Sequence, residues 1–271
     1  MPRKPKTTPP PSASPPLASA PAAPAAKPAA KERLDILLVA RGLAPSRQRA
    51  QALLLAGQVR VNGQPADKAG TRVSEEARIE IIGETLRFAS RGGMKLEGAL
   101  EDFRMIVAGK TCLDTGCSTG GFTDCLLQRG AKRVYAVDVT VGQLAWNLQK
   151  DARVMTIERN ARFLKLEDIG EQVDFVTVDV SFISVTKLLP ALASVARPGA
   201  DFLILIKPQF ELARGEVGKG GIVREAAQHE QAVERVTAAA KKAFETLGVR
   251  ESRVSGAEGN REFFLHARRR A

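Results

Sequence analysis

The sequence predicts an α/β fold, in which a mainly parallel sheet is covered by helices on both faces and preceded by a small α+β module. Beyond Lys110, short apolar runs alternate with helical patterns, as is typical of βα units. These runs are apolar almost throughout, which indicates strands buried on both faces. With 271 residues and 44% hydrophobic content, the chain can bury the core that such a sheet requires.

Residues 1–31 are predicted to form a disordered, basic tail. They contain ten of the fifteen prolines, five Lys or Arg residues and no acid, with few large apolar side chains. Proline interrupts every run that could serve as a secretory signal. The tail is either simply solvated or a weak tether for RNA, and both interpretations stay open.

The charge balance favours a polyanionic partner. The net charge is +11, and subtracting the five charges of the tail leaves +6 on the rest of the chain. No run of about 20 apolar residues could span a bilayer, so no membrane partner is expected. Three cysteines without a disulfide framework indicate reduced thiols in a cytoplasmic protein, and with only two histidines no metal site is expected. We expect a monomer.

Residues 32–88 are predicted to form a compact module of two helices and short strands. The segment LDILLVA fits one helix, which Gly42 ends, and Ser46 is the expected N-cap of a second helix, which Gly57 ends. Short alternating strands follow, with Asn62-Gly63 as a hairpin turn.

Arginines gather on the helical side of this module, whereas its acids gather on the other side. A one-sided cluster suits contacts with RNA phosphates, although solvated surface is the alternative. The string RLDILLVARGLAPSRQRAQALLLAGQVRVNG resembles the alpha-L RNA-binding domain along its whole length, which implies RNA binding. The residues expected to bind RNA are Arg33, Arg41, Arg47, Arg49 and, in the basic turn after the module, Arg91.

Five apolar runs are predicted to be the strands of the main sheet, with helices between several of them. In such sheets the ligand lies beyond the carboxyl ends of the strands. The runs are TCLDTG, RVYAVDV, RVMTIE, VDFVTVDVSFI and DFLILIKPQF. Later in the chain, REAAQHEQAVERVTAAAKKAFETLG is predicted to be a helix that packs on the sheet, and GNREFFLHARR the last strand of a closing hairpin.

The turn CLDTGCSTGGFTDC, after the first of these strands, is predicted to bind a cofactor. It lacks the G-x-G-x-x-G of dinucleotide folds and the G-K-[ST] of a P-loop, and it contains no lysine for a polyphosphate. Instead, Asp114 ends the first strand and Asp138 ends the second. A carboxylate at the second position can accept both hydroxyls of a ribose, and the first would meet a cation. S-Adenosyl-L-methionine, an adenosine joined to a sulfonium and an amino acid, fits this pattern.

The glycines of the turn are expected to let the backbone approach the cofactor closely. The pattern D-x-G-x-[ST]-x-G-G-F-T resembles motif I of the FtsJ-like class I methyltransferases, which implies a Rossmann-like sheet; turn geometry alone is the alternative. The expected cofactor contacts are Asp114, Gly116, Ser118, Gly120, Gly121, Phe122, Asp138, Asn160 and Asp179.

Single charges at the ends of later strands are candidate catalytic groups. Asp179 ends the fourth strand, Lys207 ends the fifth, Glu262 opens the last one, and Lys95 lies in the helix of SRGGMKLEGAL. Methyl transfer to a ribose 2′-hydroxyl needs a base, and a lysine, whose ordinary pKa is about 10.4, serves only where its surroundings depress that pKa. The D/N-P-P-Y/F/W string typical of adenine N-methylation is absent, and no cysteine nucleophile lies near these strands.

Together these motifs resemble the TlyA family from about Arg33 to the end of the chain. The resemblance implies a ribosomal RNA 2′-O-methyltransferase, acting on cytidine, with a Lys-Asp-Lys-Glu tetrad. It makes Lys207 the base, has Asp179 and Lys95 tune and orient it, and has Glu262 position the substrate sugar. The family's T-N-x-R string is altered here to RNAR, which keeps Asn160 but lacks the threonine.

Two other functions stay open. One is a noncatalytic RNA-binding protein of ribosome assembly that keeps the fold. The other is a membrane-lytic hemolysin, a name that members of the family carry, but the best amphipathic stretch mixes acids with bases as a helix packed on a sheet does. The segment KPQFELARGEVGKGGIVRE is either a mobile lip over the cleft or an ordinary surface loop.

Overall fold

The structure is a computed structural model that describes residues 31–44, 46–55, 57–82, 87–256 and 259–271. The predicted tail lies outside the described residues except for its last member, Lys31. That residue is the start of strand β1 (Lys31–Arg33), which pairs antiparallel with β4 (Arg72–Ser74). The partner strand lies far along the chain, and local composition gave no sign of it.

The module that follows has two helices packed on short strands around a core of its own, which contains Leu38, Leu54 and Val59. Its remaining elements are α1 (Leu34–Ala40), α2 (Arg47–Leu55), β2 (Val59–Val61), β3 (Gln64–Ala66) and β5 (Ile79–Ile81). Strand β2 lies between β3 and β5 in a three-stranded antiparallel sheet.

The local signals read from the module are confirmed. Gly42, just beyond α1, has a φ of +69°, a left-handed conformation that favours glycine. The hydroxyl of Ser46 accepts a hydrogen bond from the backbone nitrogen of Arg49 at 3.2 Å, as an N-cap does. Asn62 and Gly63 both have positive φ between β2 and β3, as a type I′ hairpin turn requires.

Seven strands form the main sheet, which is mixed but mainly parallel. They are β6 (Thr111–Thr115), β7 (Arg133–Asp138), β8 (Val154–Glu158), β9 (Val173–Val178), β10 (Ala196–Ile206), β11 (Phe244–Glu251) and β12 (Phe263–Arg269). Their order is β11-β12-β10-β9-β6-β7-β8. The five strands from β6 to β10 are parallel, and β12 runs antiparallel between β10 and β11.

Helices cover both faces of this sheet, as predicted. One face packs against α3 (Gly92–Asp102), α4 (Gly121–Gln128) and α5 (Trp146–Gln149). The opposite face packs against α6 (Leu166–Ile169), α7 (Leu189–Val195) and α9 (Ala226–Ala240). The short α8 (Pro208–Glu211) follows β10 directly.

One predicted helix is wrong in extent. The segment REAAQHEQAVERVTAAAKKAFETLG is helical only to Ala240, and its last residues begin β11, a strand that sequence reasoning missed. Phe244 is fully buried there, and its ring centroid lies 4.6 Å from that of Phe202 in β10. Pairing with β12 and this ring contact outweigh the helical pattern of the preceding residues.

The order of strands creates a crevice at the carboxyl edge of the sheet. From β6 the chain continues to β7 and β8 on one side, and then returns so that β9 lies on the other side of β6. The connections that leave β6 and β9 therefore diverge to opposite sides. Ligands of open α/β sheets bind at such a point.

Candidate functional site

The turn after β6 and the end of β9 form the centre of the crevice. Gly116 has a φ of +82°, and a Cβ at this position would overlap the carbonyl oxygen of Asp179. Only glycine fits there, because the turn lies directly against the backbone of the adjacent strand end. The two loops are thus fixed against each other.

Two cavities open on either side of this contact and share Gly116, Ser118 and Asp179 in their walls. One has a volume of about 260 Å³ and is also lined by Lys95. The other has a volume of about 500 Å³ and is also lined by Asp138. The two cavities therefore adjoin at this contact, and together they are called the cleft.

Besides Gly116, Ser118 and Asp179, two further predicted cofactor contacts line the larger cavity, Asp138 and Asn160. The carboxylate of Asp138 accepts hydrogen bonds from the backbone nitrogens of Ser118, at 2.9 Å, and Thr140, at 3.3 Å. The side chain of Asn160 accepts one from the backbone nitrogen of Arg162 at 3.0 Å and so caps the 3₁₀ turn of residues 161–163. Both side chains are held in place, at the edge of the cavity, by their own local turns.

Two glycines of the turn also permit close packing within the protein, whereas the predicted close approach to the cofactor stays a prediction. A Cβ on Gly120 would overlap Leu144 and Leu148, and one on Gly121 would overlap the hydroxyl of Ser90. The close approaches are therefore between segments of the protein itself. They draw α4 and its neighbours together beside the cleft.

The structure does not bring Asp114 to the wall of either cavity. Its side chain is fully buried and accepts hydrogen bonds from the hydroxyls of Thr123, at 2.7 Å, and Thr177, at 2.9 Å. Burial raises the pKa of this carboxyl to about 6, against the opposing effect of the two threonine bonds. Asp114 thus joins β6, β9 and α4 beneath the turn, and its predicted contact with the cofactor stays a prediction.

Phe122 is likewise mainly a core residue, although it borders the smaller cavity. Its ring stacks on that of Phe264 with centroids 6.2 Å apart. The packing fixes the first turn of α4 below the cleft. The predicted contact between Phe122 and a cofactor stays a prediction.

The four candidate catalytic residues form two ion pairs at the same edge of the sheet. Nζ of Lys207 lies 2.5 Å from Oδ1 of Asp179, and it donates a hydrogen bond to the hydroxyl of Ser181 at 3.1 Å. Nζ of Lys95 lies 2.6 Å from Oε2 of Glu262. The lysine side chains are 11% and 12% exposed respectively, so both pairs are largely shielded from solvent.

Strand pairing explains why these pairs lie side by side. Ile206 of β10 is opposite Phe263 of β12, which places the following Lys207 beside the preceding Glu262. Lys95 reaches Glu262 from α3 and lines the same cavity as Asp179. Lys95 thus lines the smaller cavity, and Lys207 contacts Asp179, which lines both cavities.

Sequence reasoning missed one conspicuous residue here, Phe182. Its side chain is 92% exposed, and its φ of +66° is rare for a residue other than glycine. It follows Ser181 in the loop after β9, lines the larger cavity, and has its ring centroid 5.3 Å from that of Phe210. The signal was present in the string DVSFIS, where a large aromatic residue directly follows Ser181 just beyond the end of a strand.

A buried carboxylate, also missed, holds this loop in position. Glu211, in α8, accepts a hydrogen bond from the hydroxyl of Ser184 at 2.5 Å and another from the backbone nitrogen of Val185 at 2.9 Å. Burial raises its pKa. The loop after β9 and the segment after β10 are thereby joined.

The segment proposed as a lip, residues 207–225, is held by hydrogen bonds to other parts of the chain. It contains α8 and two 3₁₀ turns, at residues 214–216 and 219–221, rather than a structureless loop. The backbone nitrogen of Val223 donates to Oδ1 of Asn260 at 3.0 Å, and Gln228 donates to the carbonyl of Glu216 at 2.6 Å.

Several arginines expected to bind RNA also have partners within the module. The fully buried Asp35 receives Arg33 and Arg47, each at 3.0 Å, and these bonds lower its pKa. The guanidinium of Arg41 donates to backbone carbonyls at residues 75 and 77. Only part of each guanidinium is left for a phosphate.

The other two predicted RNA contacts lie at cavities. Arg49 borders the space between the module and α5, and Arg91 lines the smaller cavity of the cleft. RNA binding by all five arginines stays a prediction.

The three cysteines, Cys112, Cys117 and Cys125, are free and buried, and burial raises the pKa of each thiol. Nothing in this arrangement suits a nucleophile, which must reach its substrate as a thiolate. Within the described ranges no cluster of His, Cys, Asp and Glu is suited to hold a metal ion. Likewise, no helix in that part of the chain has the length and apolar character needed to cross a membrane.

Comparisons with known proteins match both parts of the chain. A family described as FtsJ-like methyltransferase matches residues 88–269, and the S4 domain matches residues 32–79. The chain is 48% identical, over 89% of its length and 91% of the relative's, to the 16S/23S rRNA (cytidine-2′-O)-methyltransferase TlyA of Mycobacterium tuberculosis. It is 40% identical to Hemolysin A of Brachyspira hyodysenteriae, over 86% and 98% of the two chains. A solved structure of a candidate hemolysin from Streptococcus thermophilus is 42% identical, with a TM-score of 0.69 and 89% of each chain covered.

Proposed function

Since the chain belongs to the FtsJ-like methyltransferases, and among them to the TlyA family, we propose that it methylates a ribose 2′-hydroxyl of ribosomal RNA. The chain is a methyltransferase that uses S-adenosyl-L-methionine. Cytidine is the target named for the Mycobacterium relative, and we take it as the target here. The same proposal keeps the expectation of a cytoplasmic protein, because ribosomal subunits are its substrate.

The cofactor is proposed to lie along the cleft around Gly116. The larger cavity suits the nucleoside, because Asp138 can accept hydrogen bonds from ribose hydroxyls and Asn160 lies nearby. The smaller cavity then takes the amino-acid end, close to Ser118 and Lys95. S-Adenosyl-L-methionine supplies a methyl group on a sulfonium sulfur, which an oxygen nucleophile can attack.

The residues of the two ion pairs are proposed to prepare that nucleophile. Lys207, acting as the base, would take the proton of the 2′-hydroxyl at Nζ as that oxygen accepts the methyl group. The resulting ammonium has a partner in Asp179, at 2.5 Å. Glu262, with Lys95 at 2.6 Å, would position the sugar. The single observation that carries this proposal is the meeting of both pairs at one edge of the cleft.

The substrate side of the site has features that suit RNA. The exposed ring of Phe182, beside Ser181, offers a face on which a nucleobase could stack, and such stacking contributes about 1–3 kcal/mol per base. The match to the S4 domain, which corresponds to the alpha-L domain expected from sequence, adds a second RNA contact outside the cleft. We propose that this module anchors the ribosomal RNA.

The decisive experiment measures transfer of tritiated methyl groups to ribosomal subunits that lack the modification. Lys207→Ala is expected to lower kcat by at least about 100-fold, the scale of losing a general base. Lys187→Ala, a change of an exposed lysine near the same loop, is the matched control and should keep full activity. Unchanged transfer by Lys207→Ala would exclude that lysine as the base.

The same preparations distinguish the two alternatives. Binding of RNA without any methyl transfer by the unmodified chain would favour a noncatalytic assembly protein. Release of dye from liposomes by pure protein would favour membrane lysis, the activity suggested by the name of the Brachyspira relative.

A further inference from the structure

We propose that the junction between the S4 module and the sheet domain binds a single-stranded stretch of the substrate RNA, with one base stacked on Trp146. The proposal rests on the proposed function for the identity of the polymer. It adds a contact surface outside the methyl-transfer cleft, and it assigns a role to a residue that the reaction does not use.

Trp146 lies at the surface and not in the hydrophobic core. It begins α5, and its side chain is 61% exposed, although tryptophan buries more apolar surface than any other residue when it packs. The next apolar residue of the same helix, Leu148, is buried under the cofactor turn. The helix is therefore already anchored, and the indole is left free for a partner.

The indole lies between two openings that both parts of the chain line. A cavity of about 370 Å³ has Trp146 on one side and Arg49 and Leu53 of α2 on the other. A second, of about 470 Å³, also contains Trp146 and is faced by Arg47. A flat ring inserted beside Trp146 would thus meet an indole face and a guanidinium together.

The charges at this junction suit a phosphodiester backbone. No residue that the structure describes forms a hydrogen bond or ion pair with the guanidinium of Arg49. Arg47 is joined to Asp35 yet keeps 56% of its side chain exposed. Lys150, just beyond α5, is exposed as well. Cations beside an aromatic ring are the usual means of binding single-stranded nucleic acid without reading its sequence.

The junction is also connected to the cleft. Gln143, three residues before Trp146, lines both the second opening and the cavity assigned to the nucleoside. The backbone nitrogen of Ala145 donates to the carbonyl of Thr119, in the cofactor turn, at 3.1 Å. RNA held on Trp146 would therefore pass close to the cofactor, as a strand leading to the reacting nucleotide must.

Trp146 is the only tryptophan of the chain, so its fluorescence reports this contact directly. The full-length protein is titrated at low salt with oligocytidylate, and we expect saturable quenching of the tryptophan emission. An RNA duplex of equal length should quench far less, because its bases are already stacked. Quenching that is absent while anisotropy of a labelled oligonucleotide shows binding would overturn the proposal.

Variants separate stacking from charge. Trp146→Ala should bind the oligonucleotide about tenfold more weakly, and Trp146→Phe should recover part of that loss. Phe163→Ala, which removes another exposed aromatic side chain, should match the unmodified protein. Unchanged RNA affinity of Trp146→Ala would contradict the proposal, and so would an equal loss in Phe163→Ala.

Methyl transfer to ribosomal subunits, measured on the same proteins, keeps the two proposals apart. If the unmodified chain transfers no methyl groups, the proposed function fails, whatever the fluorescence shows. If it does transfer them and Trp146→Ala has the same KM for subunits as the unmodified chain, only the role of Trp146 fails. Calorimetric binding of S-adenosyl-L-methionine should be equal in all variants, which establishes that each is folded.

Discussion

At the scale of single residues, the buried Asp114 shows how a charge beneath the cofactor turn affects stability. Its side chain accepts hydrogen bonds from the neutral hydroxyls of Thr123 and Thr177. Burial raises its pKa from 3.8 to about 6, so at neutral pH the folded state holds a carboxylate whose ionisation is less favourable there than in the unfolded chain. The position thus costs stability, on the order of 3 kcal/mol at neutral pH.

The sign of this effect is testable. As the pH falls through about 6 towards 4, the folded state takes up a proton on Asp114 before the unfolded state does, so this carboxyl makes folding relatively more favourable. Asp114→Asn should remove this contribution. The measured quantity is the free energy of urea unfolding of Asp114→Asn minus that of the unmodified chain. This difference should be largest at pH 7 and fall by roughly 2–3 kcal/mol by pH 4.

Glu245→Gln, at an exposed position of β11, is the control for this comparison and should leave the pH profile unchanged. A difference between Asp114→Asn and the unmodified chain that stays constant with pH would show that Asp114 does not titrate in this range.

At the scale of elements, the loop after β9 depends on α8. Glu211 holds Ser184 and Val185, so the loop that starts with Asp179 cannot shift relative to the strand end that carries Lys207. The same anchoring maintains the positive φ of Phe182. One buried carboxylate therefore positions residues that it does not touch.

Glu211→Gln should disturb the position of the loop after β9 without preventing the binding of S-adenosyl-L-methionine. An amide presents one acceptor oxygen where two are used, so either Ser184 or Val185 loses its acceptor, at a cost of about 1–3 kcal/mol in unfolding free energy. We expect kcat to fall about tenfold while the Kd of S-adenosyl-L-methionine stays within about twofold, since the shift acts on geometry. Steady-state kinetics measures kcat, and calorimetry measures the Kd of S-adenosyl-L-methionine.

The matched control is Glu216→Gln, which changes an accessible carboxylate that accepts from Ala213 and Gln231. Its kcat should stay near that of the unmodified chain. Were Glu211→Gln to retain full kcat, the anchoring of the loop would have no part in catalysis.

At the scale of the whole molecule, the cores are separate. The module has its own cluster of buried residues, and the two faces of the sheet have others. Independent cores permit independent unfolding.

Leu54→Ala, in the core of the module, should therefore destabilise the module by about 2–5 kcal/mol and leave the sheet domain intact. In a calorimetric scan the first transition should move to lower temperature, while the Kd of S-adenosyl-L-methionine at 20 °C stays within about twofold of that of the unmodified chain. Leu55→Ala, at the adjacent position, which is 87% exposed, is the control. It should change neither the temperature of the first transition nor the binding of S-adenosyl-L-methionine. Loss of cofactor binding in Leu54→Ala would show that the two parts fold as one.

Sequence reasoning predicted most of this architecture, because its signals are local. The apolar runs became strands, the glycine turn lies at the crevice, and Asp179 and Lys207 meet at the ends of adjacent strands. What it missed depends on distant partners. The pairing of Lys31 with Ser74 and the burial of Asp114 under Thr177 arise only when separate segments come together.

The position of β12 has a consequence for damaged chains. This strand inserts between β10 and β11, directly after Glu262, and occupies the hydrogen-bonding edge of both neighbours. A chain cut before Glu262 would lose the partner of Lys95 and expose the unpaired edges of two strands at once, and open edges recruit other strands. Truncated chains would then aggregate or be degraded by proteases. They would not remain in solution and compete with the intact protein for RNA.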